Sequence, residues 1–170
     1  MTTPTFRGAR GVYRPLVVED GTALFVAHGD PVVHHFWSSP AHASLEESVA
    51  YTADTLAVED SHHWAITEAG GEALGRVSLF IRREGVGEIG VILCSDAQGK
   101  GLTSEALRFV VAHAFEALDL HRIEVDIDPD NIASLRLFER SGFVREALLR
   151  ANWKTHIGIR DSVIMAIFPA

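Results

Sequence analysis

The residues best suited to chemistry lie in a glycine-rich segment, Gln98-Gly99-Lys100-Gly101, which leads into an apolar helical pattern. Glycine lets the main chain approach a ligand closely and adopt conformations that other residues avoid. Free N–H groups at the start of a helix, together with the helix dipole, form a cradle for an anion such as phosphate. The segment therefore predicts a phosphate site, to which Lys100 adds a positive charge. A plain glycine-rich turn with Ser104 as the helix cap is the alternative.

A second glycine-rich segment, Gly85-Val86-Gly87-Glu88-Ile89-Gly90, matches the G-x-G-x-x-G pattern of dinucleotide-binding proteins. That pattern binds a pyrophosphate only where a helix follows the glycines, because the helix N-terminus receives the phosphates. Here the glycines lead into Val91-Ile92-Leu93-Cys94, a strand-like apolar run. A nucleotide-binding protein that uses these glycines is therefore the disfavoured hypothesis.

The elements that must position these residues include both strands and helices. Alternating and apolar runs between turn signals predict strands, whereas apolar residues at i, i+3 and i+4 with capping residues predict helices. We expect strands at 12–17, 63–67, 74–81, 88–94, 121–128, 144–153 and 161–168. We expect helices from Asp20 as N-cap to about 29, from the capping box at Ser44 to about 59, and at 104–118 and 131–141. This order is mixed α/β with a central strand–helix–strand unit.

Composition excludes several classes of protein. The chain has 170 residues and a net charge of −8, which argues against nucleic-acid binding, because such binding needs a basic face that neutralises phosphates. No apolar run approaches the ~20 residues of a membrane helix, and the N-terminus lacks the apolar core of a signal peptide. Since Cys94 is the only cysteine, an intramolecular disulfide is impossible and a four-cysteine zinc site is excluded. We expect a single-domain cytoplasmic protein.

Nine histidines could suggest a metal site. His34-His35 and His62-His63 are adjacent pairs, and neighbours on a strand point to opposite faces. The H-E-x-x-H pattern of zinc proteases is missing. We therefore expect no metal.

An ordered set of segments from about Val12 to Phe168 resembles the GNAT superfamily of acetyl-CoA-dependent N-acetyltransferases. Gln98 to Thr103 is similar to its pyrophosphate loop, Q/R-x-x-G-x-G/A, except that Thr103 stands where Gly or Ala is usual. The Arg14-Pro15-Leu16 opening and the closing aspartate look like the RimJ/RimL branch, which acetylates protein N-termini and small amines. The remaining matching segments are 88–93, 104–107, 131–134, 139–143 and 158–161.

The resemblance implies an α/β (α+β) GNAT fold. Its central sheet would be mixed but mostly antiparallel, with about seven strands, about four flanking helices and splayed central strands that hold acyl-CoA. The implied reaction is direct attack by a primary amine on acetyl-CoA in a ternary complex, where the amine is a protein N-terminus or a small molecule. A catalytically inactive acyl-CoA-binding sensor is the alternative, and Phe138 and Thr103 are its best support. Family habit implies a homodimer.

The resemblance also assigns site residues. It places Glu88 as a base or water-orienting group, Ser134 as a hydrogen-bond donor to the departing sulfur, and Asn131 beside pantetheine or the thioester. Phe138 falls at or beside the position where many members carry an acidic tyrosine. The implied coenzyme contacts are Ile92, Leu93, Cys94, Gln98, Gly99, Lys100, Gly101, Leu102, Thr103, Ser104 and Asn131.

Each assignment has a plainer alternative. Glu88 could be an exposed carboxylate beside a turn, and Asn131 could be a helix N-cap. We favour a double role for Asn131, because capping leaves part of its amide free. The acceptor loops of the family correspond to His34, His35 and Trp37, for which surface loop positions are the alternative.

Overall fold

The computed structural model describes residues 2–169. Within these residues, eight strands form one sheet in the order β1-β2-β3-β4-β5-β6-β8-β7, accompanied by four α-helices. The strands are β1 Phe6–Arg7, β2 Val12–Pro15, β3 Ser61–Thr67, β4 Gly75–Arg83, β5 Val86–Leu93, β6 Arg122–Ile127, β7 Val144–Thr155 and β8 Gly158–Ile167. The helices are α1 Asp20–His28, α2 Leu45–Leu56, α3 Leu102–Glu116 and α4 Ile132–Arg140.

This architecture confirms the expected mixed, mostly antiparallel α/β fold. Only the pairing of β5 with β6 is parallel within the described sheet. The sequence did not predict β1, because two residues carry no periodicity. The last strand begins at Gly158 instead of residue 161. The sequence did not predict this start, because the first residues of β8 are exposed and lack an alternating apolar pattern.

The central strands β5 and β6 separate after a short paired stretch. Their register runs from Val86 opposite Arg122 to Glu88 opposite Glu124 and then stops, although both strands continue. The antiparallel pairing of β5 with β4 persists along the whole strand to Leu93. The sheet therefore opens into a V between β5 and β6, as the expected splay requires.

The connection between β2 and α1 corrects one prediction. Asp20 is not the N-cap of α1, because Glu19 occupies that position without a side-chain cap bond. The Asp20 carboxylate instead accepts two hydrogen bonds from Arg14, at 2.6 and 2.8 Å, and one from the Val17 N–H at 3.0 Å. Asp20 is the first residue of α1 and also forms an ion pair with Arg14 of β2, so it ties β2 to α1.

The Ser44 half of the predicted capping box at α2 is confirmed, since Ser44 Oγ accepts the Glu47 N–H at 3.2 Å. The Glu47 carboxylate accepts the N–H of Ala43, at 2.7 Å, instead of that of Ser44. The buried face of α2 nevertheless consists of small hydroxyl residues, Ser48, Thr52 and Thr55. Gly21 explains the close packing against α1, since a Cβ there would lie 2.6 Å from the Val49 Cα. The expected apolar stripe is thus at most partly buried: Leu45, Val49, Ala53 and Leu56.

The main apolar core lies between the sheet and α3. The α3 stripe is confirmed in its centre, where Leu107, Val110 and Ala114 are fully buried. With 15 residues, α3 is the longest described helix. No helix of the described chain is long and apolar enough to cross a membrane.

Candidate active site

The loop before α3 is a row of unpaired main-chain N–H groups. Gly99 and Gly101 have φ angles of 76° and 80°, in the left-handed region that favours glycine. Gly101 is the N-cap and contributes no side chain, so the alternative that Ser104 caps the helix is wrong. Between residues 2 and 169, the N–H groups of 99–104 find no acceptor. This is the arrangement that binds an anion at a helix start.

Basic side chains surround this row of N–H groups. A surface cavity of about 440 Å³ is lined by the loop together with Arg10 and Arg108. Arg10 Nη1 donates to the Lys100 carbonyl at 3.0 Å, which holds the arginine beside Gly101. The fixed dipoles and mobile cations together suit a diphosphate.

The predicted coenzyme residues divide by position. Gly99, Lys100, Gly101 and Ser104 line the cavity. Leu102 is a core residue that is 2% exposed. The Thr103 side chain does not line the cavity, so its methyl does not crowd this surface. The amide of Gln98 turns away and donates to the Leu93 carbonyl at 3.2 Å.

A buried carboxylate braces this loop and also contributes to the lining of the cavity. Glu105, in the first turn of α3, accepts the N–H groups of Ala9, Arg10 and Gly11 at 2.9–3.2 Å and the Tyr13 hydroxyl at 2.8 Å. Burial alone would raise the pKa of Glu105, but these hydrogen bonds lower it below its usual range. Burial and the neighbouring carboxylate raise the pKa of Tyr13. Glu105 therefore fixes the β1–β2 turn, which carries Arg10, against α3.

Substituting Gly99 by alanine should weaken coenzyme binding about tenfold. The added Cβ meets no protein atom within 4 Å, so it would occupy the open space available to a phosphate. Gly158→Ala is the matched control, since Gly158 also has a positive φ and open surroundings but is the first residue of β8, next to the β7–β8 turn. Both variants should lose about 1 kcal/mol of stability. Calorimetric binding of coenzyme A should separate them, and equal affinities would contradict the cradle.

A second cavity, of about 360 Å³, occupies the V between β5 and β6. Its walls come from β4, β5, β6 and α4, together with the β7–β8 hairpin and the loop after α1. Glu88, Asn131, Ser134 and Trp37 all contribute to the lining. The fold thus brings together residues from three distant parts of the sequence.

The start of α4 supplies two polar groups to this second cavity. Asn131 is the N-cap, as predicted, and its Oδ1 accepts the Ser134 N–H at 3.2 Å. The Asn131 amide nitrogen and the Ser134 hydroxyl have no partner within residues 2–169. Phe138 completes this wall, with its ring 5.0 Å from that of Phe143. The wall can donate hydrogen bonds through Asn131 and Ser134, whereas Phe138 cannot transfer a proton.

Glu88 lies near the parallel end of β5 and is paired with Arg82. Arg82 Nε and Nη2 donate to the two carboxylate oxygens at 3.0 Å each. The Glu88 side chain remains 38% exposed. Each carboxylate oxygen keeps a further lone pair, so Glu88 can still accept a proton or orient a water.

Ile92, Leu93 and Cys94 belong to the core and do not line the second cavity. The Cys94 N–H already donates to the Leu74 carbonyl at 2.8 Å. The cavity is lined instead by the preceding residues, Ile89, Gly90 and Val91. The part of β5 that lines this cavity therefore lies nearer the start of the strand than the residues that the resemblance implied.

The histidines of the acceptor loops are placed unevenly. His34 is 1% exposed and stacks on Trp37 at 5.3 Å, and His35 is exposed. Of these three residues, only Trp37 lines the cavity. Within residues 2–169, no three His, Cys, Asp or Glu side chains are arranged to hold a metal ion.

Sequence reasoning missed Arg76, Asp126 and Trp153, which also line this cavity. Trp153 Nε1 donates to Asp126 Oδ2 at 2.7 Å. A signal for Arg76 was present, because a lone charge interrupts the apolar strand Gly75-Arg76-Val77-Ser78-Leu79. Asp126 and Trp153 come together only through the sheet and carried no such signal.

The second glycine-rich segment does not bind a nucleotide in the dinucleotide manner. Gly85 forms the β4–β5 hairpin turn with a φ of 70°, and Gly87 and Gly90 lie within β5. No helix start follows these glycines, which confirms the sequence interpretation.

Comparison with known proteins gives a consistent family. The chain is 37% identical over 118 residues to the probable N-acetyltransferase YjcK of Bacillus subtilis, covering 67% of this chain and 65% of that protein. It is 26% identical over 160 residues to spermidine N(1)-acetyltransferase of Escherichia coli K12, covering 91% and 84%. The structure of spermidine N-acetyltransferase from Vibrio cholerae in complex with CoA and spermine superposes with a TM-score of 0.81 at 20% identity, covering 95% and 96%, which supports the fold.

The family model described as "Acetyltransferase (GNAT) domain" matches residues 10–144. This range contains the loop before α3, the splayed strands and the polar start of α4. The chain therefore belongs to the GNAT acetyltransferase domain family, a family of acyltransferases.

Proposed function

We propose that this protein is an N-acetyltransferase that moves the acetyl group of acetyl-CoA to a primary amine by direct attack in a ternary complex. The observation that carries the proposal is the row of free N–H groups at 99–104, which opens onto a basic cavity. A diphosphate would be held there by main-chain dipoles and by Arg10, Lys100 and Arg108. Acetyl-CoA would supply the reactive thioester, and no metal is required.

Glu88 would prepare the acceptor amine. An ammonium group must lose a proton before its nitrogen can attack, and Glu88 would take that proton directly or through a water. The need for a base depends on the acceptor, because an α-amine has a pKa of about 7.7–8.0 and a lysine-like amine has a pKa of about 10.4. Asn131 would donate its free amide N–H to the acyl oxygen or to pantetheine.

Ser134 would stabilise the departing sulfur. A thiol pKa of about 8.5 lies ~1.5 units above neutrality, so a thiolate costs about 2 kcal/mol at pH 7. The Ser134 hydroxyl can offset much of this cost as a hydrogen-bond donor, which explains how the site could work with Phe138 in place of an acid.

Ser134→Ala should therefore lower kcat roughly tenfold, with little change in the affinity for coenzyme A. Ser141→Ala is the control, because Ser141 ends the same helix and its hydroxyl donates to the Leu137 carbonyl, outside the cavity lining. Steady-state rates and calorimetric affinities would be measured for both variants. An unchanged kcat in Ser134→Ala would remove this residue from the mechanism.

The acceptor is tested by a screen with acetyl-CoA, in which free thiol release is followed. Polyamines represent the acceptors named for the spermidine acetyltransferase relatives, and ribosomal-protein N-terminal peptides represent the RimJ/RimL branch. Aminoglycosides complete the screen. Thiol release that depends on an amine supports the proposal.

The second candidate is an acyl-CoA-binding sensor without turnover, favoured by Phe138 in the wall of the cavity. Tight binding of acetyl-CoA without thiol release for any acceptor would support the sensor and contradict the enzyme. A homodimer, a cytoplasmic location and a one-domain organisation over 1–170 stay predictions.

A further inference from the structure

Arg76 is a buried cation without an anionic partner. It is 3% exposed and is the only buried arginine or lysine among residues 2–169. Its guanidinium donates to Ser78 Oγ and, at 3.1 Å, to the Tyr51 hydroxyl. Nε has no acceptor, and no described carboxylate forms an ion pair with the group. A guanidinium carries five N–H donors, so several remain available.

Aromatic contacts offset only part of the cost of burying this charge. Arg76 Cζ lies 5.8 Å from the ring centroid of Trp37 and 5.4 Å from that of Tyr51. Cation–π contacts are weaker than the cost of removing an ion from water. The environment of Arg76 is therefore incomplete without an anion.

The carboxylates that line the cavity are Glu88, Asp126, Asp128 and Asp161, and none of them forms an ion pair with Arg76. The two other arginines that line the cavity, Arg82 and Arg160, are already paired with Glu88 and Asp128. Burial, followed by the charge of Arg76, lowers the pKa of His28 to about 3 and that of His63 to about 4. Both imidazoles are thus neutral at pH 7. Asp126 and Asp161 also line the cavity and accept hydrogen bonds only from neutral donors, so the cavity holds Arg76 as a cation without an ionic partner beside carboxylates that also have none.

Arg76 and Glu88 occupy two ends of one cavity wall. Arg76 lies opposite Ile92 across the β4–β5 pairing, and Phe80 lies opposite Glu88. Four residues of strand separate the two positions, or about 13 Å between Cα atoms. Both side chains line the cavity between β5 and β6. A molecule in this cavity therefore meets a carboxylate at one end and a free guanidinium at the other.

We propose that the acceptor is a small amine that also carries a carboxylate, with its amine toward Glu88 and its carboxylate bound by Arg76. This proposal rests on the N-acetyltransferase function and refines its acceptor class. A planar guanidinium with free N–H groups matches a carboxylate in charge and geometry. An ammonium placed beside Arg76 would be repelled, which disfavours a polyamine whose second ammonium reaches this end of the cavity.

The test compares γ-aminobutyrate, putrescine and butylamine as acceptors for the wild-type protein. These amines share a four-carbon chain and end in a carboxylate, an ammonium and a methyl group respectively. Shorter and longer ω-amino acids are run beside the diamine and alkylamine of equal length. At the best length, kcat/KM for the amino acid should exceed both others by roughly tenfold or more. An equal or better diamine or alkylamine at every length overturns the proposal.

In Arg76→Met, the ratio of kcat/KM for the amino acid to kcat/KM for the diamine or alkylamine should fall close to one. The control Arg7→Met removes an exposed arginine of β1 and should keep the wild-type ratio. Should Arg76→Met not fold, wild-type inhibition gives the same answer. Butyrate should compete with the acceptor, and butyramide, which lacks the charge, should not. Equal inhibition by the two would overturn the proposal. If the protein is not an N-acetyltransferase, no amine will lead to thiol release, so this failure can be distinguished from failure of the acceptor proposal.

Discussion

Glu88→Gln is expected to lower kcat/KM for a primary alkylamine by about a hundredfold at pH 7, and by less than about tenfold for an α-amine. General-base assistance is worth roughly 10²–10⁴-fold. At pH 7 roughly one alkylamine molecule in 2500 is neutral, compared with roughly one α-amine in seven. The alkylamine, which is almost entirely protonated at pH 7, therefore depends more on the Glu88 carboxylate than the α-amine does.

Glu124→Gln is the matched control for this prediction. Glu124 lies opposite Glu88 in the β5–β6 pairing and binds Arg122, but it does not line the cavity. It should keep wild-type rates for both acceptors. The alkylamine rate of Glu88→Gln should also recover as the pH of the assay is raised toward the amine pKa. Equal losses for the two amines would show that Glu88 is not the base.

Glu105→Ala is expected to lower the free energy of unfolding by about 3 kcal/mol or more. The substitution leaves three main-chain N–H groups and the Tyr13 hydroxyl without their acceptor, and each hydrogen bond to a charged group contributes about 1.5–3 kcal/mol. Water can enter and recover part of this loss. In a chain of this size the melting temperature should fall by about 6–12 °C.

The stability difference between wild type and Glu105→Ala should depend on pH in a way that identifies the Glu105 carboxylate as its cause. Because the pKa of Glu105 is lowered on folding, its contribution is complete above the unfolded value of about 4.3 and is lost as the pH falls through the folded value. The gap between wild type and Glu105→Ala should be constant from pH 7 to 5 and shrink below about pH 4. Glu116→Ala, at the exposed end of α3, should stay within about 0.5 kcal/mol of wild type. A gap that is independent of pH would contradict the assignment.

Local patterns in the sequence were sufficient for most of the elements and for the glycine-rich loop before α3. The loop needs only consecutive residues, since glycines before an apolar helix determine where unpaired N–H groups lie. The Asn131 and Ser44 caps are equally local, and the structure confirms both. By contrast, Asp20 looked like a local cap, and a tertiary ion pair with Arg14 took its carboxylate.

By itself, the sequence determined that this protein has a mixed α/β fold with a glycine-rich loop before its longest described helix, because those features depend on neighbours in the chain. Only the tertiary structure decided what the acceptor cavity contains. Arg76, Glu88, Asp126 and Trp153 come from four different strands, and no periodicity indicates which of them will meet. The lack of an ion-pair partner for Arg76 is likewise a tertiary property, because it depends on where the fold places the carboxylates of the cavity.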